Sequence, residues 1–293
     1  MRKFKNFNSQ YVEFRHHRPM MILRDDNYKT PLIQCITNFV TVNDCANIIL
    51  AAGASPSMAH DIREAEDAVM GADALVCNMG AIEDVDAMIL AGKKANELKK
   101  PIILDPVACG TTTLRRESIE RLLKEVNFSV IRGNASEIRY IAGKNTDSCG
   151  VDVHESDKVT EENLEDYMLM AQELSKKLNS VIVITGKIDI IASSEYVALV
   201  DRGSKTMATI TGSGCMLTSL IGALCGAYSD EIFLSTWIAV YMMAKAGDIA
   251  EAKRIENKTG NSTFRNDLID AVFNMNNENL LEDFDESVYQ RRD

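Results

Sequence analysis

The chain has 293 residues, 46% of them hydrophobic and 26% charged, and its 32 Lys and Arg against 43 Asp and Glu give a formal charge of −11. This composition excludes a disordered or collagen-like chain, and the length allows one large α/β unit or two domains. The acidic balance, with no long Lys/Arg-rich block, speaks against a nucleic-acid partner or an anionic membrane surface.

Residues 1–30 show no clear hydrophobic period and read as an N-terminal extension. From Pro31 the punctuation becomes regular. Short apolar runs ending in Gly, Asn, Asp or Thr alternate with longer segments of helical spacing, the signature of βα units. The runs Ala74–Met79, Pro101–Asp105, Phe128–Arg132 and Val181–Thr185 are continuously apolar, as strands covered on both faces require. Val85–Leu98, Arg116–Val126 and Glu161–Leu178 are the crossover helices between them. Ile188–Ser193 and Tyr196–Asp201, separated by Ser194 and Glu195, alternate in polarity and predict an antiparallel pair at a sheet edge. After Gly212 the chain turns helical over Cys215–Ala227, Glu231–Ala252 and Thr263–Met275. All five prolines lie at or before position 106, and no linker of disordered composition divides the chain. The expectation is a single α/β domain over residues 31–277, followed by a polar tail over 278–293.

The seven cysteines, at 35, 45, 77, 109, 149, 215 and 225, form no C-x-x-C pair. An odd count without spacing fits neither a disulfide framework nor a zinc site. With no apolar leader near the N-terminus and no uninterrupted 18-residue apolar stretch, the expected compartment is a reducing cytoplasm with no membrane association.

Four segment ends carry groups suited to phosphoryl chemistry. Thr209-Ile-Thr-Gly-Ser-Gly-Cys215 runs directly into an apolar helix, where small residues let backbone N–H groups close on an anion beside the helix dipole. Gly212 and Gly214 also suit a tight loop with no ligand. A Walker loop is absent, and Leu217 stands where a dinucleotide fingerprint needs its third glycine. Cys215 lies in the first helical turn, a position that lowers a thiol pKa. Asn134 and Glu137, three apart in Ile131-Arg-Gly-Asn-Ala-Ser-Glu-Ile138, share a helical face; they suit either a hydrated Mg²⁺ or a simple capping box. Asp105 before Pro106 offers a second carboxylate or a turn starter. Thr185 and Gly186 offer a hydroxyl and a backbone N–H to a nucleotide, or mere punctuation. All four ends converge on one edge of one sheet, where ligands bind in open α/β folds.

At family level the chain resembles the hydroxyethylthiazole kinases of thiamine salvage. The resemblance runs from Pro31 to about Met275 and rests on ordered motifs: Cys35-Ile-Thr-Asn38 with Val40-Thr-Val-Asn-Asp-Cys-Ala-Asn47, Gly53-Ala-Ser-Pro-Ser-Met58, Leu104-Asp-Pro-Val107, Arg132-Gly-Asn-Ala-Ser-Glu137, Val183-Ile-Thr-Gly186, Thr211-Gly-Ser-Gly-Cys215 and Thr263-Phe264. It implies a ribokinase-like three-layer αβα sandwich with a mostly parallel central sheet. It also implies ATP- and Mg²⁺-dependent phosphorylation of the hydroxyl of 4-methyl-5-(2-hydroxyethyl)thiazole. By the same resemblance, Met58, Gly212 and Asn38 contact the thiazole, Arg132, Thr185, Asn134 and Gly214 serve ATP, and Asp105 and Glu137 hold Mg²⁺ directly or through water. Cys215 takes the catalytic place, where the wider superfamily often has Asp. The family implies a homotrimer with sites between subunits, so that Met58 and Asn38 complete a neighbour's site. Gln34 departs from the His of many relatives, and Asn257–Ser262 is more polar than the usual turn before Thr-Phe. Rival readings are a same-fold kinase for hydroxymethylpyrimidine or pyridoxal, a non-catalytic nucleotide sensor and, from another class, a dinucleotide oxidoreductase.

Overall fold

A computed structural model of the chain describes residues 11–15, 30–143, 159–282, 284 and 287–291. Cys149 lies outside them. In chain order the elements are β1 (Tyr11–Arg15), β2 (Leu32–Ile36), α1 (Val42–Ala52), β3 (Ser55–Ser57), α2 (Ala65–Gly71), β4 (Ala74–Asn78), α3 (Val85–Glu97), β5 (Ile102–Asp105), α4 (Thr113–Glu125), β6 (Val130–Asn134) and α5 (Ala135–Ile141). They continue through α6 (Leu164–Leu178), β7 (Val181–Thr185), β8 (Asp189–Ala192), β9 (Tyr196–Val200), α7 (Ser213–Ala227), α8 (Ile232–Asn257), α9 (Asn261–Phe273), α10 (Asn277–Leu281) and β10 (Ser287–Arg291).

Among the described residues the strands form one sheet in the order β1-β10-β9-β8-β7-β6-β5-β4-β2-β3. From β3 to β7 every pairing is parallel; β8, β9, β10 and β1 add on antiparallel. The parallel strands read as continuous apolar runs because both faces are covered. Ile33, Cys35, Val76, Ile103 and Val183 pack against the α1, α7, α8 and α9 layer, while Ile36, Leu75, Cys77, Ile102, Leu104 and Ile182 pack against the α2 to α6 layer. Each fully buried aliphatic side chain contributes about 1.5–3 kcal/mol, so these two layers hold the sheet between them.

The predicted strands and the antiparallel pair β8–β9 are present, but the pair is not at an edge, since β10 and β1 add on outside β9. Helix α4 starts earlier than expected because Thr112 caps it, its side chain accepting from the Arg115 N–H at 3.3 Å. Both chain ends join the sheet. Residues 11–15 and 287–291, predicted as parts of an extension and a tail, pair with each other in register Tyr11↔Arg291 to Arg15↔Ser287, and β10 pairs with β9. The 26-residue α8 is long and apolar enough to span a membrane, yet most of its most apolar window is buried inside the fold.

The helix that matters most for the site is α7, which lies across β2, β4 and β5. Gly222 permits that approach: a Cβ there would sit 2.5 Å from Cγ2 of Val76 and 3.4 Å from Cγ2 of Ile33. Alanine is favoured over glycine inside a helix by roughly 1 kcal/mol, but overpacking a close-packed contact costs about 1–3 kcal/mol. Gly222→Ala is therefore expected to lower the unfolding free energy measured in urea; an unchanged or raised value would contradict this packing.

Candidate active site

Strands β2, β4, β5, β6 and β7 all end at the same edge, facing the N-terminus of α7. Parallel pairing sets this arrangement, since Asn78 lies in register with Asp105 and Asn134 with Thr185. The last residues of five strands thereby share one crevice.

A chain of directed hydrogen bonds runs through it. Oδ1 of Asn38 accepts from both the N–H and the hydroxyl of Thr41, each at 3.1 Å, which leaves Nδ2 to donate to Oδ1 of Asn78 at 3.2 Å. Nδ2 of Asn78 in turn donates to Oδ2 of Asp105 at 3.1 Å and to Sγ of Cys215 at 3.2 Å. Asn38 also donates to that sulfur, at 3.6 Å. Asp105 is almost fully buried, and the same Oδ2 receives the Thr218 hydroxyl at 2.9 Å and faces Nη1 of Arg132 at 3.6 Å. Burial raises the pKa of Asp105, while Arg132 and Thr218 oppose the rise.

Arg132 spans the crevice. Its Nη2 donates to the Thr185 hydroxyl at 2.6 Å, and its Nε is buried without a partner among the described residues. The guanidinium lies so close over α7 that a Cβ on Gly214 would sit 2.4 Å from Nη1. Gly212 is the N-cap of α7 with φ of 83°, the left-handed region, and a Cβ there would fall 2.5 Å from Cγ2 of Thr41. The first intrahelical bond of this turn is Met216 N–H to the Gly212 carbonyl. By helix geometry the amides of Ser213, Gly214 and Cys215 stand at the open positive end, an anion cradle.

The thiol of Cys215 behaves otherwise than its place in the first turn predicts. Burial pushes its pKa up to about 12, and the carboxylate of Asp105 adds to the rise. The helix dipole and the Asn78 amide do not outweigh this, so the sulfur is a neutral thiol at neutral pH.

At α5 the capping box is realised. Oδ1 of Asn134 accepts from the Glu137 N–H at 2.9 Å, and Oε2 of Glu137 accepts from the Asn134 N–H at 2.8 Å. The other oxygen, Oε1, accepts from the Ala108 N–H at 2.8 Å. Burial raises the Glu137 pKa to about 7, with the nearby Asp105 charge contributing. Gly186 is not free for a nucleotide, since its N–H donates to Oδ1 of Asp189 at 2.9 Å.

Asn38, Asp105, Arg132, Thr185, Gly212, Gly214 and Cys215 are thus brought together, with Asn134 and Glu137 adjoining through α5 and the Ala108 loop. Met58 stands apart from the hydrogen-bonded chain; it is half-buried and packs against the apolar cluster around α7 and α8. Gln34, buried in β2, ties the segment after Met58 by donating Nε2 to the Ala59 carbonyl, while its Oε1 is buried without a partner among the described residues. In the polar 257–262 turn, Nδ2 of Asn261 donates to the Thr209 carbonyl at 3.0 Å, just before the cradle. Thr41, Asn78 and Thr218 are functional neighbours that the sequence did not single out.

A hydrated Mg²⁺ fits this donor set. Among the described residues no three His, Cys, Asp or Glu form a metal cage, and Mg²⁺ needs only one or two carboxylates besides water and substrate phosphates. Oδ1 of Asp105 takes none of the three contacts made by Oδ2, and each Glu137 oxygen accepts a single backbone N–H.

Comparison with known proteins bears on the family. The model of the hydroxyethylthiazole kinase family matches residues 23–278. A hydroxyethylthiazole kinase of Clostridium tetani is 49% identical over 84% of this chain and 89% of its own, and one of Clostridium beijerinckii is 44% identical over 89% and 93%. The solved hydroxyethylthiazole kinase of Pyrococcus horikoshii superposes with a TM-score of 0.74 at 30% identity, covering 88% of this chain and 93% of its own. A ribokinase-like superfamily protein of Enterococcus faecalis, 14% identical, shares the fold at a TM-score of 0.57 over 88% of this chain and 91% of its own. With a ribokinase-like fold, an anion cradle opposite a buried carboxylate, and motifs shared along nearly the whole chain, the protein belongs to the hydroxyethylthiazole kinase family.

Proposed function

We propose that the protein transfers the γ-phosphoryl group of ATP to the primary hydroxyl of 4-methyl-5-(2-hydroxyethyl)thiazole; its relatives are named hydroxyethylthiazole kinase, which supports this reading. The observation that carries this reading is the meeting of Cys215, the α7 cradle and Arg132 at the ends of five strands, in a chain that matches that family over residues 23–278. Arg132, Thr185, Asn134 and Gly214 serve ATP. Met58, Gly212 and Asn38 serve the thiazole.

The chemistry asks for positioning and charge neutralisation more than for a strong base. The hydroxyl oxygen forms its bond to γ-phosphorus in line with the breaking bond to the β,γ-bridging oxygen, ADP leaves, and the hydroxyl proton passes late to an oxygen of the transferred phosphoryl group. Cys215, a neutral thiol held by two asparagine amides, orients the hydroxyl rather than deprotonating it. The amides at the head of α7 and the Arg132 guanidinium meet the charge that develops on the transferring group. Asp105 and Glu137 would hold Mg²⁺, which when bound neutralises phosphate charge.

The homotrimer with shared sites is part of the same proposal. Phe39 and Val40, 81% and 58% exposed, stand between Asn38 and Thr41, two members of the site, which supports a neighbouring subunit covering this rim. The described cysteines are free thiols, in keeping with work in a reducing cytoplasm.

Purified protein with MgATP and, in parallel, the thiazole alcohol, hydroxymethylpyrimidine and pyridoxal is expected to give thiazole phosphate preferentially by mass spectrometry. Turnover of another alcohol would overturn the substrate, and ATP binding without any product would favour a sensor. Sedimentation equilibrium is expected to report three chains per particle. Cys215→Ala is expected to lower kcat by roughly 10- to 100-fold with little change in KM for ATP; near-full turnover with normal KM would remove Cys215 from catalysis. A pKa near 12 also makes Cys215 react with iodoacetamide about 10³-fold more slowly than free cysteine at about pH 8, measured as the difference between wild type and Cys215→Ser. Labelling at the rate of a free thiol would contradict the neutral state.

A further inference from the structure

The loop between β5 and α4 contains a strained residue. Ala108, three positions after Asp105, has φ of 55°, the left-handed region that a Cβ disfavours. The other described non-glycine residues with positive φ, Lys99, Asn179 and Lys258, follow the ends of α3, α6 and α8, where this conformation is the ordinary helix stop. Ala108 ends no helix. Such a conformation persists only where its surroundings over-determine it.

The surroundings do so here. The Ala108 N–H donates to Oε1 of Glu137 at 2.8 Å, and its carbonyl accepts from the Thr111 N–H at 3.0 Å and the Thr111 hydroxyl at 2.8 Å. On either side, the Val107 carbonyl accepts from Nη1 of Arg115 at 2.7 Å and the Gly110 carbonyl from Nη1 of Arg116 at 3.0 Å. Arg115 does more than hold this loop. The same Nη1 donates to the Met79 carbonyl at 2.8 Å, and the Met79 N–H donates to the Asp105 carbonyl at 2.9 Å. One guanidinium nitrogen therefore bridges the segments that follow Asn78 and Asp105, whose side chains are bonded to each other inside the site.

The placement of Arg115 runs against local electrostatics. It lies in the first turn of α4, where a cation meets the positive end of the helix dipole, and its side-chain bonds among the described residues go to carbonyls and not to a carboxylate. Capping does not require it, since Thr112 already caps the helix.

We infer that Arg115 is a positioning residue for the phosphoryl-transfer centre, clamping the β4 and β5 ends together and holding Ala108 in its left-handed conformation so that Asp105 and Glu137 keep a fixed relation. The inference rests on the kinase reading above for its catalytic consequence, but the clamp itself is a property of the backbone. Arg115 touches no reacting atom and acts through the loop.

The test uses the full chain with Arg115→Met, Arg115→Lys, Ala108→Gly and the Arg115→Met/Ala108→Gly double variant. Kinetics with MgATP and the thiazole alcohol are paired with hydrogen exchange of the peptides covering residues 105–112. Arg115→Met is expected to lower kcat roughly 10-fold with KM for the thiazole changed less than about twofold, and to speed exchange of the loop amides about 10-fold. Arg115→Lys, which keeps a donor without the planar fork, should fall between. Glycine at 108 removes the strain that the clamp opposes, so the double variant should recover about threefold in kcat over Arg115→Met. Wild-type kcat in a folded Arg115→Met, or faster exchange with kcat unchanged, would overturn the positioning role. Absence of rescue by glycine would overturn the link to Ala108. If Arg115→Met does not fold, Arg115→Lys decides by the same two readouts. If the wild type phosphorylates no alcohol, the kinase reading falls, and unchanged loop exchange in Arg115→Met would separately sink the clamp.

Discussion

A carboxylate at the end of β5 with almost no access to water imposes most of what surrounds it. Burying an ion costs several kcal/mol unless its charge is answered by well-placed partners. Asp105 is answered three times on one oxygen, by an amide from β4, a hydroxyl from α7 and a guanidinium from β6. Each partner is fixed by something further out: Asn78 by Asn38, Asn38 by Thr41, and Arg132 by Thr185. The site is thus a set of strand ends that are mutually aligned because a single buried charge would otherwise go unpaired. Removing any one partner leaves a polar group stranded rather than a small loss of contact.

The other half of the arrangement is steric. The first turn of α7 reaches the strand ends because Gly212 and Gly214 leave room for Thr41 and the Arg132 guanidinium. Farther along, Gly222 lets the same helix settle onto Val76. The helix is therefore gripped at both ends, against the sheet by apolar contact and at its head by the polar crevice. A cradle of backbone amides held this way pays little reorganisation when charge develops in front of it.

Much of this was legible in the sequence, because a parallel sheet writes its strands as apolar runs and ends them in polar residues. Asp105, Arg132, Thr185 and the Gly212–Cys215 turn declared themselves in that way. Asn78 did not, since it sits inside the run Ala74–Met79 and looks like a strand interior until its neighbours are known. Thr218 was hidden within a helix for the same reason, and Thr41 in the turn that leads into α1. The state of Cys215 was misjudged because its local setting, a helix N-terminus, lowers a thiol pKa, whereas burial and a carboxylate distant in sequence raise it. At Asn134 and Glu137 the capping-box reading is realised, and the Glu137 carboxylate lies close enough to feel the Asp105 charge. The strand β2 went unmarked because Gln34 interrupts its apolar run, and β1 because an outer edge demands little hydrophobic period.

The ladder between β1 and β10 joins residue 11 to residue 291. Among the described residues no strand pairing closes a longer loop, and the entropy of closure makes such a pairing late and dependent on everything between being in place. During synthesis the β9 edge consequently stays open until β10 has emerged, so the nascent chain carries an unpaired strand edge from the completion of β9 at Val200 until Ser287. A folding intermediate lacking only this ladder would hold an intact catalytic crevice on one side of the sheet and an adhesive border on the other.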